Sequence, residues 1–180
     1  MKDTEIFADI VTHINKTTHS LLADLSPAEL AWRADPEANS IGVTVWHYSR
    51  WLDLIPVRLL DNRPAEEEQW HTQGWAARTG YDPRGIGYAG FGAITGYTQE
   101  EVAAIPEMSR EDLLTYLDQA CTVLRERFLA MPEGALDELA LNQKGTFYAL
   151  LKKIFMGTIG HLGEIEALKS IQVRARKTSL

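Results

Sequence analysis

The chain has 180 residues, 45% of them apolar and 24% charged, the balance of one soluble globular domain whose core needs no staples. A net charge of −7 argues against nucleic acid as a partner, because phosphate contacts need clustered Lys and Arg. The one cysteine, Cys121, excludes an internal disulfide framework and any multi-cysteine zinc site.

The first predicted helix runs from about Thr4 to Leu25, with an apolar stripe of Ile6, Ile10, Ile14, Leu21 and Leu25 and with His13 and Thr17 on or near that face. The segment Met1–Glu5 before it carries no charged-then-apolar leader pattern, and no apolar run reaches the ~20 residues of a membrane span. A cytoplasmic protein without membrane contact is expected. Ser26-Pro27 starts a short helical turn that Asp35-Pro36 ends.

A second long helix is predicted from the N-cap Ser40 to about Asn62. Its inward stripe is Ile41, Thr44, His47, Trp51, Leu54 and Arg58, and Pro56 should bend it. Arg50 and Arg58 suit either an anionic substrate group or a partner carboxylate, the second being the commoner outcome. Residues 63–108 are glycine- and aromatic-rich, and short helices are expected at Trp70–Arg78 and Gln99–Ala104, packed over one end of a bundle. Whether this segment is a lid or only packing is open at this point.

Ser109 caps a third long helix to about Ala130, in which Cys121 sits beside Leu117 and Leu124 as a small core residue. The fourth is predicted from Thr146 to Gln172, on the stripe Phe147, Leu150, Leu151, Ile154, Thr158, His161, Ile165 and Leu168. Gly157, Gly160 and Gly163 interrupt it at a cost of ~1 kcal/mol each. Close approach of another helix is one reason for them, and room for a ligand beside His161 is another. The basic tail, Arg174, Arg176 and Lys177, reads as a solvated end that can meet a partner chain.

Four amphipathic helices of ~20 residues describe an all-α, four-helix bundle, and the long connection between the second and third permits those two to run parallel. His47 and His161 lie in the two most apolar stretches, where an imidazole must be hydrogen-bonded, protonated or ligated. No Gly-x-Ser-x-Gly hydrolase pattern and no phosphate-binding glycine loop is present. His19 and His71 are expected at the surface.

Asn39-Ser40-Ile41-Gly42 leading into Trp46-His47-Tyr48-Ser49-Arg50-Trp51 resembles the second-helix signature of the DinB-like superfamily. Gly160-His161-Leu162-Gly163-Glu164-Ile165 resembles its fourth-helix signature, and Gln73-Gly74-Trp75-Ala76-Ala77-Arg78 the inter-helix loop of some members. The resemblance covers nearly the whole chain and implies one domain over 1–180. It implies up-down-down-up connectivity with a long ordered loop between helices two and three, and often a homodimer. It also implies a divalent ion, nickel or zinc, on three histidines: one matching His47, and a His-x-x-x-His pair whose second member matches His161. Residues i and i+4 share a helix face, so both rings of such a pair reach one ion.

The sequence departs from that pattern at Gly157, four residues before His161. A third ligand must come from elsewhere, with His13 first and Glu164 next as candidates. The resemblance implies a divalent-metal-dependent thiol transferase or hydrolase with an altered metal site, acting on a small-molecule or thiol substrate. The alternative is a metal-free small-molecule-binding or dimeric stress-related protein without catalysis.

Overall fold

The computed structural model describes residues 2–140 and 144–178, with side chains as far as 174. Asn142 and the side chains of Arg176 and Lys177 lie outside the described residues. Within them the chain is all-helical, and its β-type pairing is a single bridge between Leu139 and Thr146. No helix of the described residues is long and apolar enough to cross a membrane.

Helix α1 (Asp3–Leu22) buries Phe7, Val11, Ile14, Thr18 and Leu22. The buried seam therefore lies beside the predicted one: Ile6 is exposed, Ile10 is half-buried, and His13 faces outward. Both sets satisfy a helical period. Phe7 decides between them, its ring lying 5.6 Å from Phe128 and 5.3 Å from Phe155 in the core. Helix α2 (Pro27–Ala31) has the predicted Ser26 cap, closed by Glu29.

Helix α3 (Ile41–Leu54), capped by Ser40, passes into a wider π-helical turn over Ile55–Leu60. Pro56 has no N–H to give and crowds the carbonyl four residues back, so the turn expands where a bend was expected. Nearly every side of α3 is buried, including the Trp46, Arg50 and Asp53 side that faces the 63–108 segment.

The expected helix at 70–78 is two, α4 (Gln69–Thr72) and α5 (Trp75–Thr79), because Gly74 adopts φ 76° between them. Helix α6 (Gln99–Ala103) begins at a Thr98–Glu101 capping box. Trp70 pins the segment down: its ring meets Trp46 at 5.7 Å, Trp75 at 6.4 Å and Tyr116 at 5.0 Å.

Helix α7 (Arg110–Ala130) starts at the predicted Ser109 cap, and α8 (Phe147–Thr178) extends past the predicted end. The four long helices close a ring, α1 on α7, α7 on α3, α3 on α8 and α8 on α1. Asn15 and His19 both reach Asp118, and Arg110 donates to the Ala23 carbonyl. Lys169 donates to the Leu21 carbonyl and Gln172 to that of Glu29. Cys121 is buried, and burial pushes its thiol up to about 12, so it packs rather than reacts.

The α8 glycines are not explained by a close helix within the chain. A Cβ at Gly157, Gly160 or Gly163 would meet nothing within 4 Å. Gly160→Ala is expected to stabilise the monomer by about 0.5–1 kcal/mol, read as a higher urea midpoint at unchanged slope. A lowered midpoint would show that something occupies this face.

Candidate functional site

A cavity of about 740 Å³ opens between α3, α8 and the glycine-rich segment after Tyr81. His47 and Trp51 reach it from α3, Arg58 from the π-helical turn, Tyr88 and Phe91 from the segment, and Lys153, Gly157 and His161 from α8. Among the described residues no Asp or Glu lines it. The size lies within the roughly 300–1,000 Å³ of small-molecule sites.

The structure brings His47 and His161 together across more than a hundred residues of sequence, with ring centroids 4.9 Å apart and planes at 83°. Each ring is held by its Nδ1. That of His47 donates to the Ala93 carbonyl at 2.7 Å, and that of His161 pairs with the Glu164 carboxylate at 2.7 Å. A donating Nδ1 leaves Nε2 as the lone-pair nitrogen of a neutral ring. Both rings line the cavity, and an imidazole held at Nδ1 meets a ligand through its other nitrogen. Glu164, a candidate third ligand, stands behind His161 as its orienting partner.

Burial, then the neighbouring His161, lowers the pKa of His47 to about 4; the Ala93 bond and Glu164 oppose the shift. Below the unfolded value of 6.5 the unfolded chain takes up a proton that the folded site refuses. This stabilising contribution is full above pH 6.5 and is lost as pH falls toward 4. Urea midpoints measured from pH 7.5 down to 4.5 should fall by the equivalent of about 2–3 kcal/mol, and His47→Gln should flatten that part of the profile.

A buried polar network behind the cavity sets the wall. Arg50, 1% exposed, donates Nη1 to Asp53 at 3.0 Å, Nη2 to Glu68, and Nε to the Gly92 carbonyl at 3.2 Å. Asp53 also accepts from Tyr116 at 2.9 Å and from the backbone N–H groups of Gln69 and Trp70 at 2.6 and 2.9 Å. Burial opposes the charge on Arg50, yet Tyr116, Glu68 and Asp53 hold its pKa above the usual value. The network ties α3 to α4, to α7 and to residue 92, one residue before the carbonyl that orients His47. Arg50 thus pairs with carboxylates, the commoner of the two outcomes read from sequence. Asp53 was missed there, although Arg50-x-x-Asp53 places opposite charges three apart on an otherwise apolar helix.

His13 lines a separate, shallower cavity with Lys16, Ser20 and Glu166. His19 bonds Asp118, and His71 has a buried Nε2 with no hydrogen-bond partner, unlike the surface position expected for it. Among the described residues no three His, Cys, Asp or Glu side chains form a group that could hold a metal ion. Two oriented imidazoles are suited to ligation, but Gly157 leaves the pair one donor short of a three-histidine centre. The residues present do not fit the resident ion that the resemblance implies.

The sequence model of the DinB superfamily matches residues 12–165. Among solved structures, one described as the conserved protein of a locus from Enterococcus faecalis is similar, with a TM-score of 0.77 and 19% identity. The match covers 94% of this chain and 96% of that one, and at this identity it shows the fold alone. No curated protein matches the chain.

Proposed function

The chain belongs to the DinB superfamily, and on that premise we propose that it binds a small molecule in the cavity between α3 and α8, without a resident metal ion. The observation that carries this reading is that His47 and His161, each held at Nδ1 by an oxygen partner, together line a cavity of about 740 Å³. A ligand group with a donor proton would bridge the two rings, and the aromatic walls would cover its apolar part.

A metal-dependent thiol transferase or hydrolase is the second reading. It is favoured by the way both Nδ1 atoms are held by an oxygen partner, the usual state of ligated imidazoles. Elemental analysis of protein purified without an affinity tag separates the two. The first reading expects no stoichiometric nickel or zinc in the wild type, and tight binding once Gly157→His supplies a third imidazole. A Cβ at 157 meets open space, so that ring has room. Stoichiometric metal in the wild type that is lost in His161→Ala would overturn the first reading and establish the second.

The pairings of α1 with α7 and α8 also support the up-down-down-up bundle as part of this reading. Asn15 at mid-helix meets Asp118 while Ala23 meets Arg110, so α1 and α7 run in opposite senses. Phe7 meets Phe155 while Leu21 meets Lys169, so α1 and α8 run in the same sense. A cytoplasmic homodimer belongs to the same proposal. Its support is the resemblance together with the exposed Met156 and Ile159 beside Gly160 on α8.

A further inference from the structure

We propose that the ligand of this cavity is a small aromatic carboxylate, its anionic group held by Arg58 and Lys153 and its ring lying among Trp51, Tyr88 and Phe91. This deepens the small-molecule reading above and rests on it. The charge of the lining is one-sided: Arg58 and Lys153 face the space, and no carboxylate of the described residues does.

Arg58 is incompletely neutralised. Its ion pair, with Glu68, is a long contact of 3.4 Å, and the other oxygen of Glu68 is taken by the fully buried Arg50. One carboxylate thus serves two guanidinium groups, and Arg58 keeps most of its donor fork for another acceptor. Its guanidinium lies 5.3 Å from the centroid of the Phe91 ring, which orients the plane without cancelling the charge. Lys153 makes no ion pair among the described residues, although it lies on the cavity wall. A cation left over a partly enclosed, aromatic-lined space is stabilised by an oxyanion that brings its own apolar body. Trp51 and Phe91, at 5.9 Å and 63°, form an edge-to-face corner that a flat ring can enter. The two imidazoles on the same wall then meet a polar group of the ligand other than its carboxylate.

The test compares 6-hydroxy-2-naphthoate, whose hydroxyl supplies the donor, with its uncharged near-isostere 6-hydroxy-2-naphthamide, by calorimetric titration and by the ring proton signals of His47 and His161. The expected result is at least about tenfold tighter binding of the naphthoate, with both histidine signals shifted. Arg58→Gln should remove about tenfold of naphthoate affinity and leave naphthamide unchanged. Lys153→Gln, at an exposed helix position, should act in the same direction without affecting the fold. If Arg58→Gln fails to fold, judged by circular dichroism, Lys153→Gln alone decides. Equal affinity for the two probes, or a charge preference unmoved by these substitutions, overturns the carboxylate proposal while the small-molecule reading stands. Failure of both probes to bind at millimolar concentration overturns the aromatic carboxylate proposal, while the metal content of the wild type decides the small-molecule reading separately.

Discussion

Asp53→Ala is expected to destabilise the protein by about 3–5 kcal/mol, the cost of breaking a buried ion pair from one side. Asp53 is 1% exposed and accepts four hydrogen bonds, from Arg50, Tyr116 and the N–H groups of Gln69 and Trp70. Alanine removes both acceptor oxygens and all four bonds together. It leaves the Arg50 guanidinium with Glu68 as its remaining carboxylate, a phenol without its acceptor, and two N–H groups at the start of α4 unsatisfied. Asp53→Asn keeps one carboxyl-type oxygen and the shape but loses the charge, and should fall between alanine and the wild type. Urea unfolding gives the size. Native-state hydrogen exchange gives the place: protection should fall first over 69–97, the part that the network ties to α3 and α7. A loss below about 1 kcal/mol, with exchange unchanged over 69–97, would show that the aromatic cluster around Trp70 holds that segment unaided.

Gly92→Ala is expected to cost about 3 kcal/mol or more and to disable the cavity, through two effects that act at one residue. Gly92 has φ 65°, which strains a residue with a Cβ by about 1–3 kcal/mol. The added Cβ would also lie 2.4 Å from the Pro83 carbonyl oxygen, and that atom is backbone and cannot rotate away. The segment must therefore move. It carries the Gly92 carbonyl that Arg50 holds and the Ala93 carbonyl that fixes His47. Opening it relieves the burial that chiefly depresses His47, so the His47 pKa should rise from about 4 toward 6.5. Proton NMR of the imidazole signals against pH reads that shift directly. Gly74→Ala and Gly80→Ala are the controls. Both positions have positive φ, yet nothing lies within 4 Å of an added Cβ. Each should cost about 1 kcal/mol from backbone strain alone and leave the His47 titration unchanged.

Four long helices were readable because each carries its own boundary signals and its own apolar period. Ser40 and Ser109 mark starts that hydrogen-bond geometry bears out, through Val43 and Asp112. Which face turned inward was less readable. In α1 the Ile6, Ile10, Ile14 series and the Phe7, Val11, Ile14, Thr18 series are both periodic, one residue apart at their start and sharing Ile14. Only the packing of Phe7 against Phe128 and Phe155 selects the second, and that choice turns His13 outward. In α3 the apolar stripe held no such information, because the 63–108 segment covers the side that would otherwise face water.

The candidate site divides in the same way. His47 and His161 stood out in sequence as polar rings in apolar stretches, and local chemistry alone requires a partner for each. Gly157 stood out only against the resemblance, as the position where the implied pattern has a further imidazole. The partners themselves belong to the tertiary structure. Ala93 lies 46 residues from His47, and a backbone carbonyl has no side chain to betray it. The sharing of Glu68 between Arg50 and Arg58, which leaves Arg58 beside Lys153 on the cavity wall, depends on where the 63–108 segment returns to α3. Helix identity, helix ends and the two histidines are local properties of the chain, set by period, caps and the cost of burying an imidazole. The inward face of α1, the orientation of both rings and the charge of the cavity are decided by contacts between residues far apart in sequence, and no local pattern encodes those.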